Sequence, residues 1–324
     1  MVGTDTARVT AREAIMDITP REDVLSTVLA AYNLRARIDT NPRLCGVWQL
    51  STTGSGNASF HLVGEGGCYL HMEEMAPVRM ETGDLLLLPH DDWHLMSSRD
   101  HVADHDNHLS LVEGDDPADS PVTQLLCGHF EFDSGRRNPI LAALPDHIII
   151  RRRESGERLS HLADLMNIEL AERSSGYRPV LDRLADTLFV MAVRHHICAQ
   201  HEHAGGSLIA ALADDRIRRA LDALHARPEA SWTLEGLASE AAMSRSSFAE
   251  RFHTLVGQTP IDYLTQWRMV LAERLLRDGN QSVAGVMEEV GYTSEAAFRK
   301  AFKRVHGFGP GRLRQLLRRL GRPG

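Results

Sequence analysis

The chain has 324 residues and a mass of 36.0 kDa, which suggests two domains, because a single hydrophobic core seldom grows beyond about 250–300 residues. Apolar residues make up 43% and charged residues 25%, a globular composition that excludes a fibrous or wholly disordered chain. The net charge of -8 would disfavour binding to nucleic acid, but this value is the sum over two halves of opposite net charge. From Ser207 onward there are 18 basic and 13 acidic residues, whereas the first 206 residues carry 18 basic and 31 acidic ones. This split indicates that the two halves meet different partners.

The sequence also lacks the marks of a membrane or exported protein. No stretch reaches the roughly 18 uninterrupted apolar residues of a membrane span. Residues 1–20 carry Arg8, Glu13 and Asp17 where a signal peptide needs an apolar core, and we expect them to be disordered. Four cysteines are too few for a disulfide scaffold in a chain of this size. We therefore expect a cytoplasmic protein with reduced thiols and no membrane partner.

Residues 21–145 are predicted to form a domain rich in strands. Apolar residues at helical spacing first predict an amphipathic helix over residues 21–37. From about residue 45 to residue 132, short apolar or alternating runs are separated by Gly, Ser, Asn and Asp. Several strands at a spacing of roughly 8–12 residues favour a β-sandwich or barrel. A polar stretch within residues 91–121, rich in His and Asp, predicts a loop.

The remainder of the chain is predicted to be helical. Residues 159–173 and 180–200 carry apolar residues at positions i, i+3, i+4 and i+7. Residues 146–200 are therefore assigned to a helical dimerisation segment, with the alternative that these helices only cover the sheet. Residues 201–206 read HEHAGG, which is typical of a linker, and residues 207–324 form an all-helical domain.

Residues 60–94 carry a motif within the predicted strands. The spacing Gly83-x5-Pro89-x4-His94 resembles the second motif of the cupin β-barrels, in which the Gly and Pro shape a turn and the His points into the barrel. The first cupin motif is matched less well. His61 is in place, but Val63 stands where metal-binding cupins carry a second His, and no Glu follows at the usual distance. The resemblance implies a cupin-like barrel without an intact dioxygenase site.

Two hypotheses concern chemistry inside this barrel. Cys127 and His129 lie two residues apart on a predicted strand, so that they share a face. Together with His61 and His94 they would provide a tetrahedral set of ligands for Zn²⁺. The alternative is that the histidines hydrogen-bond within the sheet and Cys127 packs as a small apolar residue. A second hypothesis pairs Cys45 with Cys127, each followed by Gly, as a reversible disulfide.

The strongest signal in the chain is an internal repeat. Phe248, Phe252, Gly257 and Pro260 recur 50 residues later as Phe298, Phe302, Gly307 and Pro310. A short helix and a turn precede each copy, and Ser244 or Thr293 is suited to cap the second helix. The Phe pairs, spaced i and i+4, fix a buried face on that helix. This is the layout of a helix-turn-helix, whose second helix enters the major groove of DNA.

The opposite face of each second helix carries the residues predicted to contact DNA. Arg245 and Arg299, near helix N-termini, are suited to reach base edges, where an Arg–guanine pair contributes about 1–3 kcal/mol of discrimination. Lys303 and Arg304 are suited to contact phosphates. The full predicted set is Ser244, Arg245, Ser246, Ser247, Glu250 and Arg251 in the first unit, and Thr293, Ser294, Glu295, Arg299, Lys300 and Lys303 in the second.

The tandem repeat, with residues 260–277 between its copies and the segment GYTSEAAFRKAFKR, resembles the AraC-type family of bacterial transcription regulators. The resemblance covers about residues 207–319. It implies that a long middle helix joins two helix-turn-helix units, which enter successive major grooves about 34 Å apart. The N-terminal half resembles the cupin-type sensor domain of one subgroup of these regulators.

The expected fold class is therefore α+β with two domains: an N-terminal cupin-like β-barrel with a helical dimerisation segment, and a C-terminal all-α domain with tandem helix-turn-helix units. The leading hypothesis is a sequence-specific regulator, a homodimer that binds double-stranded promoter DNA and contacts RNA polymerase. Its N-terminal barrel would sense a metal, an oxidant or a small molecule. The alternative is a metal-dependent cupin oxygenase or isomerase with a DNA-targeting domain, against which the broken first motif argues.

Overall fold

The structure, a computed structural model, describes residues 23–101, 121–132, 138–199 and 208–320. The segment predicted to be disordered, most of the predicted polar loop and the predicted linker at 201–206 lie outside the described residues. We refer to residues 23–199 as the N-terminal part and to residues 208–320 as the C-terminal part. The first holds all the strands that the structure describes, and the second is wholly helical within its described range.

The N-terminal part contains two antiparallel sheets. The large sheet has the order β1-β9-β4-β7-β10, with β2 also pairing with β9, and the small sheet has the order β3-β8-β5-β6. The strands are β1 Arg35–Thr40, β2 Arg43–Leu44, β3 Gln49–Leu50, β4 Ala58–Glu65, β5 Gly67–Met72, β6 Val78–Glu81, β7 Leu85–Leu88, β8 His94–Ser97, β9 Thr123–Glu131 and β10 Ile148–Ile150. No described strand belongs to both sheets, so the cupin-like fold is an open sandwich and its barrel is not closed.

The helix predicted over residues 21–37 is shorter in the structure. Helix α1 spans Val24–Ala31 and is capped at its start by Asp23. Asn33 has a positive φ of 49°, a left-handed conformation that stops a helix. The next residues enter β1, where Ala36 is buried and Arg35 and Arg37 are exposed. The prediction was wrong over residues 32–37 because an alternating pattern this short also matches a helical period.

The large sheet separates two hydrophobic cores. On its inner face Val63, Leu125 and Cys127 pack against residues of the small sheet such as Leu70 and Met96. The outer face carries aromatic residues that pack on helices, and the ring centroids of Phe130 and Phe189 are 4.8 Å apart. Because neighbouring residues in a strand point to opposite faces, strands β4 and β9 contribute to both cores, and this explains their nearly unbroken apolar sequence.

Three helices of the N-terminal part support the sheet: α2 Pro139–Ala143, α3 Gly156–Glu172 and α4 Tyr177–Ala199. Helix α4 lies along the edge strand β1. There the backbone N–H of Ala36 donates to Asp186 Oδ1 at 2.6 Å, and that of Ile38 donates to Asp182 Oδ1 at 3.1 Å. These bonds satisfy backbone N–H groups at the edge of the sheet, which would otherwise be free to pair with a strand of another chain. The predicted helices therefore do cover the sheet. In addition, β10 carries the sheet beyond the predicted boundary at residue 145.

The C-terminal part contains eight helices within its described range: α5 Leu208–Ala213, α6 Asp215–Ala226, α7 Leu234–Glu240, α8 Arg245–Val256, α9 Pro260–Asp278, α10 Val283–Glu289, α11 Glu295–His306 and α12 Pro310–Leu320. The pairs α7–α8 and α10–α11 are the two predicted helix-turn-helix units, and α9 is the predicted middle helix. Among the described residues, no helix is both long enough and apolar enough to cross a bilayer.

Candidate nucleic-acid interface and sensor site

Helices α8 and α11, the recognition helices, are held in place by their phenylalanine pairs. Phe248 and Phe252 are buried with ring centroids 5.5 Å apart, and Phe298 and Phe302 repeat the arrangement at 5.9 Å. Both rings of a pair lie on one side of the helix because residues four apart are neighbours on its surface. The other side of each recognition helix therefore faces away from the core.

The N-terminal ends of the recognition helices are capped by serine in both units. Ser244 accepts a hydrogen bond from the N–H of Ser247 at 3.3 Å, and Ser294 accepts one from the N–H of Ala297 at 3.4 Å. The prediction of Ser244 is confirmed, but that of Thr293 as the second cap is wrong. The repeat offset of 50 residues places Ser294, and not Thr293, opposite Ser244, and the hydroxyl that reaches the free N–H groups is that of Ser294.

The twelve side chains predicted to contact DNA are all exposed. Helix α11 is the more basic of the two, since Arg299, Lys300, Lys303 and Arg304 cover its free side. The acidic residues Glu250 and Glu295 lie among the basic ones, and a carboxylate at such a position can accept a hydrogen bond from cytosine N4 in the major groove.

Two of the predicted arginines form ion pairs within the protein. Arg251 Nε donates to Asp214 Oδ2 at 2.6 Å, and Asp214 is also the N-cap of α6. Burial raises the pKa of Asp214, but hydrogen bonds from the Ile217 N–H and the Arg251 guanidinium outweigh it and bring the pKa below its ordinary value. Arg299 Nε donates to Glu295 Oε1 at 2.8 Å within α11. Arg251 therefore joins α8 to α6, a role that the sequence does not reveal because its partner lies 37 residues away.

The two helix-turn-helix units meet at a joint formed by Arg268, Gly291 and Tyr292. From α9, Arg268 donates to the carbonyl oxygens of Pro228 at 2.7 Å and Ala230 at 2.9 Å, and its guanidinium lies 5.6 Å from the Tyr292 ring centroid. Gly291 has φ +79°, and a Cβ there would lie 2.4 Å from the carbonyl oxygen of Glu229. The turn of the second unit thus rests on the backbone that precedes the first. No local pattern in the sequence identifies this joint.

Inside the sandwich, three of the four residues proposed as zinc ligands lie together. Cys127 Sγ is 3.0 Å from His61 Nδ1, and His61 Nε2 is 2.9 Å from His94 Nε2. His94 Nδ1 is 2.9 Å from the carbonyl oxygen of Asp92, which can only accept, so Nδ1 carries a proton. In a neutral ring Nε2 of His94 then accepts from His61 Nε2–H, and His61 Nδ1 accepts from the Cys127 thiol. The three side chains form one ordered chain of hydrogen bonds.

Burial keeps the three hydrogen-bonded side chains, Cys127, His61 and His94, neutral. It lowers the pKa of His61 well below its usual value, an effect to which His94 adds, and it lowers the pKa of His94 against the opposing influence of the Asp92 carbonyl. Burial likewise raises the pKa of the Cys127 thiol. The hydroxyl of Thr52 lies 3.2 Å from His61 Nε2 and 3.0 Å from His94 Nε2. Thr52 could not be identified from the sequence, since a threonine in a turn carries no distinguishing signal.

The structure does not bring all four of the predicted zinc ligands together. His129 lies on the same side of β9 as Cys127, as predicted, but its Nδ1 is 2.8 Å from Asp39 Oδ2 and its Nε2 is 3.5 Å from Glu131 Oε1. His61 stands between Cys127 and His94 and turns a different nitrogen to each, so the three donors do not converge on one point. Among the described residues no group of three or more His, Cys, Asp or Glu side chains could hold a metal ion.

The proposed Cys45–Cys127 disulfide also disagrees with the structure. Strand β2 pairs Leu44 with Thr123, and Cys127 lies four residues farther along β9, while Cys45 continues in the opposite direction. At about 3.3 Å per residue the two cysteines are separated by more than about 13 Å, whereas bridged Cα atoms lie within about 7 Å. Cys45 is exposed and Cys127 is buried. The two Cys-Gly sequences are alike, but the pairing of the strands places them apart.

Comparisons with known proteins agree with this architecture. A cupin family model matches residues 23–198, and a helix-turn-helix domain model matches residues 237–316. A putative AraC-like transcription regulator of Streptomyces lividans is 32% identical over 91% of this chain and 98% of its own length. The transcriptional regulator AlkR of Acinetobacter baylyi is 29% identical over 90% of this chain and 99% of its own length.

Among solved structures, the DNA-binding domain of AdpA in complex with a target DNA is 31% identical, with a TM-score of 0.33. It covers 34% of this chain and 100% of that domain. The Streptomyces relative matches across both the cupin and the helix-turn-helix regions. The cupin and helix-turn-helix matches and the Streptomyces lividans relative show that the chain belongs to the AraC-like transcription regulators and is a DNA-binding protein of that family.

Proposed function

We propose that this regulator reads promoter DNA with α8 and α11 in successive major grooves and that an effector bound by the protein controls this binding. The observation that carries the proposal is the exposed polar side of both recognition helices, each backed by a buried phenylalanine pair. If this part were only a helical bundle, the exposed polar sides of α8 and α11 would have nothing to bind. A regulator of this kind acts where the chromosome is, and we therefore infer a cytoplasmic location.

Within this interface we assign different roles to the two kinds of basic residue. Arg245 is exposed and directly follows the cap of α8, so its guanidinium is suited to a bidentate contact with guanine. Lys300, Lys303 and Arg304 lie farther along α11, where exposed point charges are suited to phosphates. Arg299 is paired with Glu295, and Arg251 is paired with Asp214. Because these pairs fix the orientations of the two guanidinium groups, we assign both arginines to holding the helices in place rather than to direct contact with bases.

The experiment is selection of duplexes from a random library by the full-length protein, followed by fluorescence anisotropy of the selected site at 50 to 200 mM salt. With about six phosphate contacts, a plot of the logarithm of the binding constant against the logarithm of salt concentration should have a slope of about −5. Replacing Lys300 and Lys303 together by Ala should reduce that slope by about 2. A slope near zero, or no enriched sequence, would contradict the proposal.

We further infer that the protein is a dimer through α3 and the start of α4. Leu165, Ile168 and Val180 are 46%, 53% and 43% exposed, although the opposite sides of these helices are buried in the core. Helices α3 and α4 pack on each other, and exposed apolar residues on two adjoining helices favour a protein–protein contact. Ile168→Ser should convert the dimer into a monomer in sedimentation velocity, whereas Leu316→Ser, which changes an exposed apolar residue of α12, should not.

We infer that the N-terminal part senses rather than catalyses. In its interior both nitrogens of His61 are within hydrogen-bond distance of protein atoms, and Cys127 is buried with a raised pKa. A thiol is a nucleophile only as the thiolate, so this arrangement does not favour nucleophilic chemistry. The alternative of a metal-dependent cupin enzyme lacks a converging set of ligands in the described residues.

A further inference from the structure

The second recognition helix ends in a histidine that is buried against the middle helix. His306 is the last residue of α11, and the chain leaves the helix at Gly307 with φ +81°. The Nε2 atom of His306 lies 3.1 Å from the carbonyl oxygen of Met269, and its Nδ1 atom lies 3.2 Å from Glu273 Oε2. Met269 and Glu273 are four residues apart in α9, so that they lie on the same side of that helix. His306 therefore joins the end of α11 to α9.

Both ring nitrogens of His306 face groups that accept hydrogen bonds. A carbonyl oxygen can only accept, so Nε2 carries a proton. Glu273 also accepts two hydrogen bonds from Arg277, at 2.7 Å from Nη2 and 3.3 Å from Nε, and these charge-assisted bonds stabilise its carboxylate. Because an ionised carboxylate only accepts, Nδ1 carries a proton as well. The geometry therefore indicates an imidazolium ion that is paired with Glu273.

Apolar side chains enclose one side of this ion pair. The centroid of the His306 ring lies 4.3 Å from that of Phe302 and 6.2 Å from that of Phe308. Helix α12 packs on both α9 and α11 and adds the buried Leu313 to the same core. The side chains of His306 and Glu273 are only 6% and 15% exposed. Water therefore screens the pair poorly, and removing the charge of one partner is costly.

Three further polar groups lie around His306, on the wall of one cavity: Asp262 of α9, Arg304 of α11, and Tyr32, which follows α1. Asp262 and Arg304 lie 3.8 Å apart, so that their charges largely offset each other. Burial, together with the charge of Glu273, raises the pKa of Tyr32, whose hydroxyl stays neutral. The charge that faces His306 at short range is therefore that of Glu273.

The first helix-turn-helix unit holds its recognition helix with a different kind of pair. Arg251 of α8 donates to Asp214 at the start of α6, and an arginine stays protonated in proteins. Under the repeat offset of 50 residues, Val256 stands in the first unit where His306 stands in the second. A histidine, unlike an arginine, changes its charge near neutral pH. The contact that holds α8 is thus permanent, whereas the contact that holds α11 depends on a proton.

We propose that His306 is a positioning residue for DNA binding, whose second proton holds α11 against α9 and whose loss of that proton at alkaline pH allows the helix to move. A neutral ring that keeps its proton on Nε2 turns the lone pair of Nδ1 toward the Glu273 carboxylate, so that attraction gives way to repulsion. Lys300 and Lys303 are then no longer held in one orientation toward DNA. The inference rests on the proposed function and deepens it, because it makes the contribution of the second unit depend on pH.

The test is fluorescence anisotropy of the full-length protein with the selected duplex, at constant salt concentration, from about pH 6 to about pH 9. We expect the dissociation constant to rise about five- to tenfold over this range, because DNA binding and protonation of His306 stabilise each other. His306→Gln keeps an N–H group for the Met269 carbonyl but does not titrate, so its dissociation constant should change less than about twofold.

Two further variants complete the comparison. In Glu273→Gln the side-chain amide can donate to a neutral ring or accept from a charged one, so this variant should also lose the pH dependence, and it replaces His306→Gln if the latter fails to fold. His253→Gln changes an exposed histidine in the last turn of α8 and should keep the full dependence. A loss of the dependence in His253→Gln would place its origin in α8 and overturn the proposal.

The charge of His306 can also be measured without DNA. In long-range proton–nitrogen NMR spectra of the full-length protein with isotope-labelled histidine, the signals that are missing from His306→Gln should show two protonated nitrogens at about pH 6. A single protonated nitrogen, or a pH dependence of DNA binding that persists in His306→Gln, would overturn the proposal. If no DNA sequence is selected, the proposed function fails instead, and the spectra still report on His306.

Discussion

Replacing Gly291 by Ala tests the joint between the two helix-turn-helix units. Gly291 has φ +79°, and a Cβ would lie 2.4 Å from the carbonyl oxygen and 2.7 Å from the Cα of Glu229. The left-handed conformation costs an alanine about 1 kcal/mol. The overlap involves backbone atoms that cannot rotate away, and relieving it should cost about 1–3 kcal/mol more. We therefore expect a loss of about 2–4 kcal/mol in the free energy of unfolding of the C-terminal part.

Gly307 is the matched control for this substitution. Its φ is +81°, yet nothing lies within 4 Å of the position that a Cβ would take. Gly307→Ala should therefore show the conformational cost alone, about 1 kcal/mol. Urea titrations followed by tryptophan fluorescence would compare the two midpoints, and anisotropy would compare their affinities for the selected duplex. Equal destabilisation by the two substitutions would refute the contact between the turn at Gly291 and the backbone of Glu229.

Four further outcomes are expected. Lys303→Ala should weaken binding to every DNA sequence alike, whereas Arg245→Ala should change the base preference in the selection, because only the second is assigned to base edges. Protein purified without a histidine tag should contain less than one zinc per chain, and His94→Ala should not change that content. Cys127 should react with a thiol reagent at pH 8 only after unfolding, because burial raises the pKa of its thiol. Burial lowers the pKa of His225 from 6.5 to about 3, so between these values the unfolded chain binds a proton that the folded chain does not. Stability should fall as the pH falls through that window, and His225→Gln should flatten the dependence in urea titrations.

The C-terminal part could be predicted in most respects because its signals are local. Phenylalanines four residues apart define one side of a helix, and Gly257 and Gly307 end helices at positive φ. Proline at the first position and a capping threonine mark the start of α9. Each of these signals acts within one turn of helix, so the sequence reveals it directly. The one error, Thr293 in place of Ser294, is a shift of a single residue at a turn.

The interior of the N-terminal part could be predicted only in part. Alternation along a strand correctly placed Cys127 and His129 on one face, but it says nothing about which neighbours each residue meets. His129 lies beside Asp39, 90 residues away, and Cys127 lies beside His61, 66 residues away. The order of strands in the sheet sets these distances, and several orders are compatible with the same pattern of apolar residues.

The sequence by itself determined the class of this protein: a cupin-like part followed by two helix-turn-helix units, with the basic residues gathered on the second. Local spacing and capping carry that information. Only the tertiary structure decided that Arg251 is bound to Asp214, that Gly291 rests on Glu229, and that His306 lies beside Glu273. These contacts join segments far apart in the chain, and their geometry depends on how whole elements pack rather than on the residues adjacent to them.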